Sequence, residues 1–160
     1  LIDQWEPGAS QDWSKWDHWN QTTYWYSTTQ YDDPVWGKVF YGRARRDVNG
    51  HTYIYNYLPT VTINAGTTYI VSFYVKTNTD LVQPFRVYFT SVHTYNSVNV
   101  QVTRTYNLRA NEWTRVELLF TPSQTYSNQK YGIEFVNVPD GQEFWIAYPQ
   151  IVENQYPTQN

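Results

Sequence analysis

The segment best fitted to do chemistry is His51-Thr52-Tyr53-Ile54-Tyr55-Asn56-Tyr57-Leu58. As a strand it puts Tyr53, Tyr55 and Tyr57 on one side and Ile54 and Leu58 on the other, with same-side neighbours about 6.8 Å apart, two strand rises. A tyrosine ring joins a flat apolar face to a hydrogen-bonding edge. Three in a row make a track on which successive sugar rings could stack. The structural use of the same residues is a strand covered on both faces, or tyrosines capping a core with their hydroxyls in water. Arg86 and Tyr88 fall on the polar side of a second strand, Tyr95 and His93 just beyond it, and Glu134 on the outward side of a third. Aromatic faces rimmed by Arg, Glu and Asn suit a sugar, whose C–H patch stacks while its hydroxyls need paired donors and acceptors. Trp25, Tyr53, Tyr55, Tyr57, Arg86, Tyr88 and Tyr95 form the candidate carbohydrate-binding set. Taken singly, Arg86 or Glu134 reads as a solvated charge in a cross-strand pair worth little.

Catalysis has fewer supports. Glycoside hydrolysis needs two carboxyl groups about 5 to 9.5 Å apart. Glu117 and Glu134 are the best pair on offer, with Glu112 and Glu143 nearer turns. No GxSxG elbow or His-paired nucleophile is present. The three His (His18, His51, His93) lack HxH or HExxH spacing, and Cys is absent, so neither His- nor Cys-ligated metal chemistry is expected. The expectation is a chain with no catalytic residues, no metal ligands and no cofactor.

The elements that must position these residues announce themselves by period-two alternation. Thr67 to Lys76 puts Tyr69, Val71, Phe73 and Val75 on one side; Phe85, Val87 and Phe89 alternate with Arg86, Tyr88 and Thr90; Val116, Leu118 and Phe120 alternate with Arg115 and Glu117. Ile133 and Phe135 mark another strand, and Phe144 to Ile151 the last. Asn49-Gly50, Asn64-Ala65-Gly66, Asn78 to Asp80, Pro122-Ser123 and Pro139-Asp140-Gly141 supply turns. Eight or nine short strands without an amphipathic helix predict an all-β fold, an antiparallel β-sandwich of jelly-roll type. One domain is expected over 1–153, with 154–160 a polar tail or linker. The first 36 residues, with Trp13, Trp16, Trp19, Trp25 and Trp36, read as an irregular segment pinned over the sandwich by buried indoles.

Composition narrows the partners. Tyr (16) and Trp (8) outnumber Phe (7), more amphipathic aromatics than a core requires. A net charge of −3 and a pI near 5.5 give no basic footprint, so nucleic acid is not an expected partner. No stretch has the length of a membrane span and none resembles a signal peptide, so no membrane insertion is expected. The start at Leu1 points to a piece of a larger multidomain or multimeric protein.

Several segments resemble, in order, the β-jelly-roll carbohydrate-binding modules found beside glycanases and in bacteriophage tail adhesion proteins. Leu1-Ile2, Trp5-Glu6-Pro7-Gly8 and Asp12-Trp13 are similar to the family's N-L-L, F-E-x-G, x-W opening. Ala65 to Lys76 is similar to its A-G-x-x-Y-x-x-S-F-x-x-K strand. Trp113 to Val116 with Phe120-Thr121-Pro122 is similar to its W-x-x-[VY]-x-x-x-F-x-x-P segment, and Gly141 to Val152 to its closing strand. The resemblance implies non-catalytic binding of a glycan or cell-wall polysaccharide, in an extracellular or virion setting. Many members hold a structural calcium with an Asp after a W/Y-I pair. Here Ala147 follows Trp145-Ile146, leaving Asp3, Glu6 and backbone carbonyls as the donors for such an ion. Two other functions fit the same residues: a small jelly-roll glycosidase using Glu117 and Glu134, and an interaction domain of a fibre or capsid that buries the tyrosine face against protein.

Overall fold

The computed structural model describes residues 16–19, 24–25, 30–45, 52–57, 62–90, 103–127, 130–136 and 138–154. Every regular element among them is a strand: β1 (Trp16–Trp19), β2 (Tyr24–Trp25), β3 (Gln30–Asp33), β4 (Gly37–Arg45), β5 (Thr52–Tyr57), β6 (Thr62–Ile63), β7 (Tyr69–Thr77), β8 (Leu81–Thr90), β9 (Thr103–Leu108), β10 (Thr114–Phe120), β11 (Tyr126–Ser127), β12 (Lys130–Phe135) and β13 (Glu143–Glu153). They form a five-stranded sheet in the order β1-β5-β12-β8-β9 and a six-stranded sheet in which β10-β7-β13-β4-β2 run side by side and β3 also pairs with β4. A short β11-β6 ladder stands apart. All pairings are antiparallel, the β-sandwich of jelly-roll type expected from the alternation.

The alternation is realised residue by residue. Tyr69, Val71, Phe73 and Val75 of β7 are buried, as are Val116, Leu118 and Phe120 of β10. Phe73 meets Phe85 edge-on at 5.5 Å, and Phe135 meets Phe144 at 4.5 Å, so two aromatic contacts join the facing sheets. Each fully buried Phe contributes about 1.5–3 kcal/mol through area removed from water.

One open side of the sandwich is closed by a polar bolt. β9 and β10 end their respective sheets, and Tyr106 on β9 reaches across to β10. Its hydroxyl donates to the Glu117 carbonyl and accepts from the Glu117 N–H, both at 2.9 Å. Backbone groups left unpaired on an edge strand are thereby satisfied.

The N-terminal third corrects one expectation. Among its described residues three strands take the place of an irregular segment: β1 extends the five-stranded sheet, while β2 and β3 pair with β4. The polar character of Trp16-Asp17-His18-Trp19 suits an edge position, where a ready row of β5 backbone groups outweighs weak strand propensity. The β3–β4 hairpin turns at Asp33, whose Oδ1 accepts from the N–H of Val35 (2.8 Å) and of Trp36 (3.0 Å), with Gly37 at φ 73° completing the turn. In β13 the register with β7 shifts between Ala147 and Gln150, and Tyr148 takes φ 53°, a costly conformation for a bulky residue.

Candidate functional site

The register across three strands assembles what the sequence distributes. Phe135 pairs with Phe85, and both are fully buried, so the alternate positions of β12 and β8 belong to the outer face of the five-stranded sheet. Residues directly opposite one another in neighbouring strands share a face. On that outer face Tyr53, Glu134 and Arg86 form one row across β5, β12 and β8. Tyr55, Gly132 and Tyr88 form the next, and Tyr57, Lys130 and Thr90 the third. Successive rows lie about 6.8 Å apart, and β5 and β8 positions about 9.6 Å apart across β12. Arg86 is half-buried, which limits how freely its guanidinium can move.

Gly132 stands between Tyr55 and Tyr88, so the middle row has no Cβ at its centre. A glycine inside a strand marks a place of close backbone approach. The first row also runs further than the sequence suggests, with Trp19 of β1 opposite Tyr53 and Thr103 of β9 opposite Arg86. Asp17 lies opposite Tyr55. Trp19, Asp17, Gly132 and Lys130 were not among the sequence candidates, because nothing local tells that β1 and β12 flank β5. Trp16 to Trp19 carried no period-two signal, since its tryptophans stand three residues apart in the recurrence of Trp13, Trp16 and Trp19.

Two candidates fall elsewhere. Trp25 belongs to β2, which pairs with β4 at the edge of the six-stranded sheet, so it does not continue the tyrosine rows within their own sheet. Tyr95 lies outside the described residues, as do His51, Asp3 and Glu6.

The carboxylate pair weighed for hydrolysis is not assembled. Glu117 is on the outward side of β10 in the six-stranded sheet, and Glu134 occupies an outer-face position in the five-stranded sheet. Sheets pack about 10 Å apart, and positions on their two outward faces lie farther apart still, beyond the roughly 9.5 Å that an inverting pair spans. Glu117 instead pairs with Arg115, and Glu143 accepts from the Tyr41 hydroxyl. For the calcium ion that the resemblance implies, the candidate donors Asp3 and Glu6 lie outside the described residues. Ala147, where the Asp would stand, is fully buried beside Trp36, Tyr74, Trp145 and Tyr148, and no cluster of three or more His, Asp or Glu occurs among the described residues.

Comparison with known proteins agrees with this fold. The family model described as carbohydrate binding domain matches residues 10–136. Curated protein sequences give no match. Solved structures that share the fold include an arabinose-bound GH51 α-L-arabinofuranosidase (TM-score 0.70, 13% identity, covering 94% of this chain and 25% of that one). A second is the CBM22-1–GH10 part of a Clostridium thermocellum endo-1,4-β-D-xylanase complexed with xylohexaose (TM-score 0.63, 15% identity, 99% of this chain and 29% of that one). A third is the family 11 carbohydrate-binding module of Clostridium thermocellum with a β-1,3-1,4-mixed-linked tetrasaccharide (TM-score 0.56, 14% identity, 87% and 89%). The chain thus spans between a quarter and a third of the first two. With the family model matching most of its length, the chain belongs to the carbohydrate-binding domain family.

Proposed function

We propose that the outer face of the five-stranded sheet binds a polysaccharide chain without cleaving it, as one module of a larger secreted protein. Tyr53, Tyr55, Tyr57 and Tyr88 stack on sugar rings, Arg86 and Glu134 hydrogen-bond ring hydroxyls, and the trough over Gly132 admits the chain between β5 and β8. The observation that carries this is the middle row, in which two tyrosine positions flank a glycine. Asp17, Glu134, Arg86 and Lys130 balance in charge, which favours an uncharged glycan over a uronate-rich one. Xylo-oligosaccharides and mixed-linked glucans, the ligands of two proteins of similar fold, are the first to try. One shallow face binds weakly, since each hydroxyl gives up water for every bond gained, and neighbouring modules supply avidity.

The test is a glycan array with the wild type and Tyr55→Ala, their folds matched by circular dichroism. A signal at least tenfold lower in the variant is expected. An undiminished signal removes the site from this sheet. Release of reducing sugar by the wild type, lost in Glu134→Gln, would overturn the non-catalytic assignment.

A further inference from the structure

The opposite surface of the sandwich carries a second aromatic row that the tyrosine face does not use. On the outward side of the six-stranded sheet, Lys76 of β7 pairs with Trp145 of β13, and Trp145 with Tyr41 of β4. Trp113 precedes Thr114, the partner of Val75, and so falls beside Lys76 at the end of the line. Trp113, Lys76, Trp145 and Tyr41 therefore cross four adjacent strands in a straight line about 14 Å long. All four are half-buried. The Lys76 Nζ lies 5.2 Å from the centre of the Trp113 ring and 4.8 Å from that of Trp145, and the Tyr41 and Trp145 rings are 5.2 Å apart.

The indoles of Trp113 and Trp145 pack, together with the rings of Trp36, Tyr74 and Tyr148, against the buried Val39 and Ala147, and Trp36 lies 4.6 Å from Tyr74. The strained Tyr148 at the β13 bulge belongs to that cluster. The row beside it is held in place from below. The Asp33 carboxylate, 4% exposed, sits 3.7 Å from the Lys76 ammonium, near enough for an ion pair but too far for a hydrogen bond. Among the described residues the three N–H donors of Lys76 meet only that carboxylate and two indole faces.

We propose that this row is a second glycan-binding surface, taking an uncharged, flat pyranose chain laid across the strands. Two indoles and a phenol offer stacking faces, while the ammonium between them supplies hydrogen bonds to hydroxyl or ring oxygens. The ligand is uncharged because the surface is balanced: Lys76 against Asp33, Arg115 against Glu117, and Arg43 opposite Glu143. A domain with binding faces on both sheets bridges two polysaccharide chains, or two stretches of one, a role the tyrosine face alone cannot perform.

The experiment is amide and indole chemical-shift mapping of the wild-type domain titrated to millimolar xylohexaose, cellohexaose and a mixed-linked β-1,3-1,4-glucan tetrasaccharide. At least one of them shifts Lys76, Trp113 and Trp145, and does so equally in Tyr55→Ala. Trp145→Ala, with its fold checked by thermal melting, loses these shifts and keeps those of β5, β8 and β12. Shifts confined to the five-stranded sheet, or a row unmoved by all three sugars, overturn the inference. A row that responds while β5, β8 and β12 stay silent supports it and removes the tyrosine face instead.

Discussion

Asp33 makes two separable contributions, and a pair of substitutions divides them. Its Oδ1 accepts from two partly buried backbone N–H groups in the β3–β4 turn, and its Oδ2 faces the Lys76 ammonium. Asp33→Ala removes both. The two N–H groups cost about 0.5–1 kcal/mol each, since water reaches them in part. The ion pair adds about 1 kcal/mol, discounted from the value for a fully buried pair because the Lys76 side chain is 20% exposed. The expected loss is about 2–3 kcal/mol. Asp33→Asn keeps an oxygen for the turn and loses only the charge, about 1 kcal/mol. For a domain of this size each kcal/mol shifts Tm by about 2–4 °C, so the alanine variant should melt about 5–10 °C lower and the asparagine variant about 2–4 °C lower. Urea unfolding with unchanged m-values checks that stability, not compactness, has moved. Equal losses in both variants would refute the role of the turn bonds. An alanine variant within about 0.5 kcal/mol of wild type would refute the whole assignment.

Three further outcomes are expected. Phe135→Ala, emptying a site between Phe85 and Phe144, should cost about 3–5 kcal/mol in urea unfolding. Tyr106→Phe removes both hydrogen bonds to the Glu117 backbone and should cost about 1–2 kcal/mol, with faster amide exchange at Glu117. Gly132→Val places a branched side chain in the middle row while favouring strand geometry. Isothermal titration with xylohexaose should show affinity at least about tenfold weaker, close to 1.4 kcal/mol, at an unchanged or higher Tm.

The buried faces of β7, β8 and β10 were readable from alternation alone, since period two is a local property that burial on one side enforces. The same alternation separated Arg86 from Phe85 and Glu117 from Val116 before any partner was known. The N-terminal strands were not readable. The tryptophans of β1 flank Asp17 and His18 without alternation, and β2 is only two residues long, so edge pairing with β5 and β4 decides their conformation. Trp25 was grouped with the tyrosines on aromatic character, yet its strand pairs within the other sheet.

By itself the sequence determined that this chain folds as alternating strands into a two-sheet sandwich, carries a surplus of amphipathic aromatics and has no charge suited to nucleic acid. Only the tertiary structure decided which aromatics share a surface. Tyr55, Gly132 and Tyr88, or Tyr41, Lys76, Trp113 and Trp145, are far apart in the chain and adjacent only through strand order and register. Side-chain periodicity records which face of its own strand a residue occupies. Which strands lie beside it is set by the packing of the whole core, and no local pattern encodes that choice.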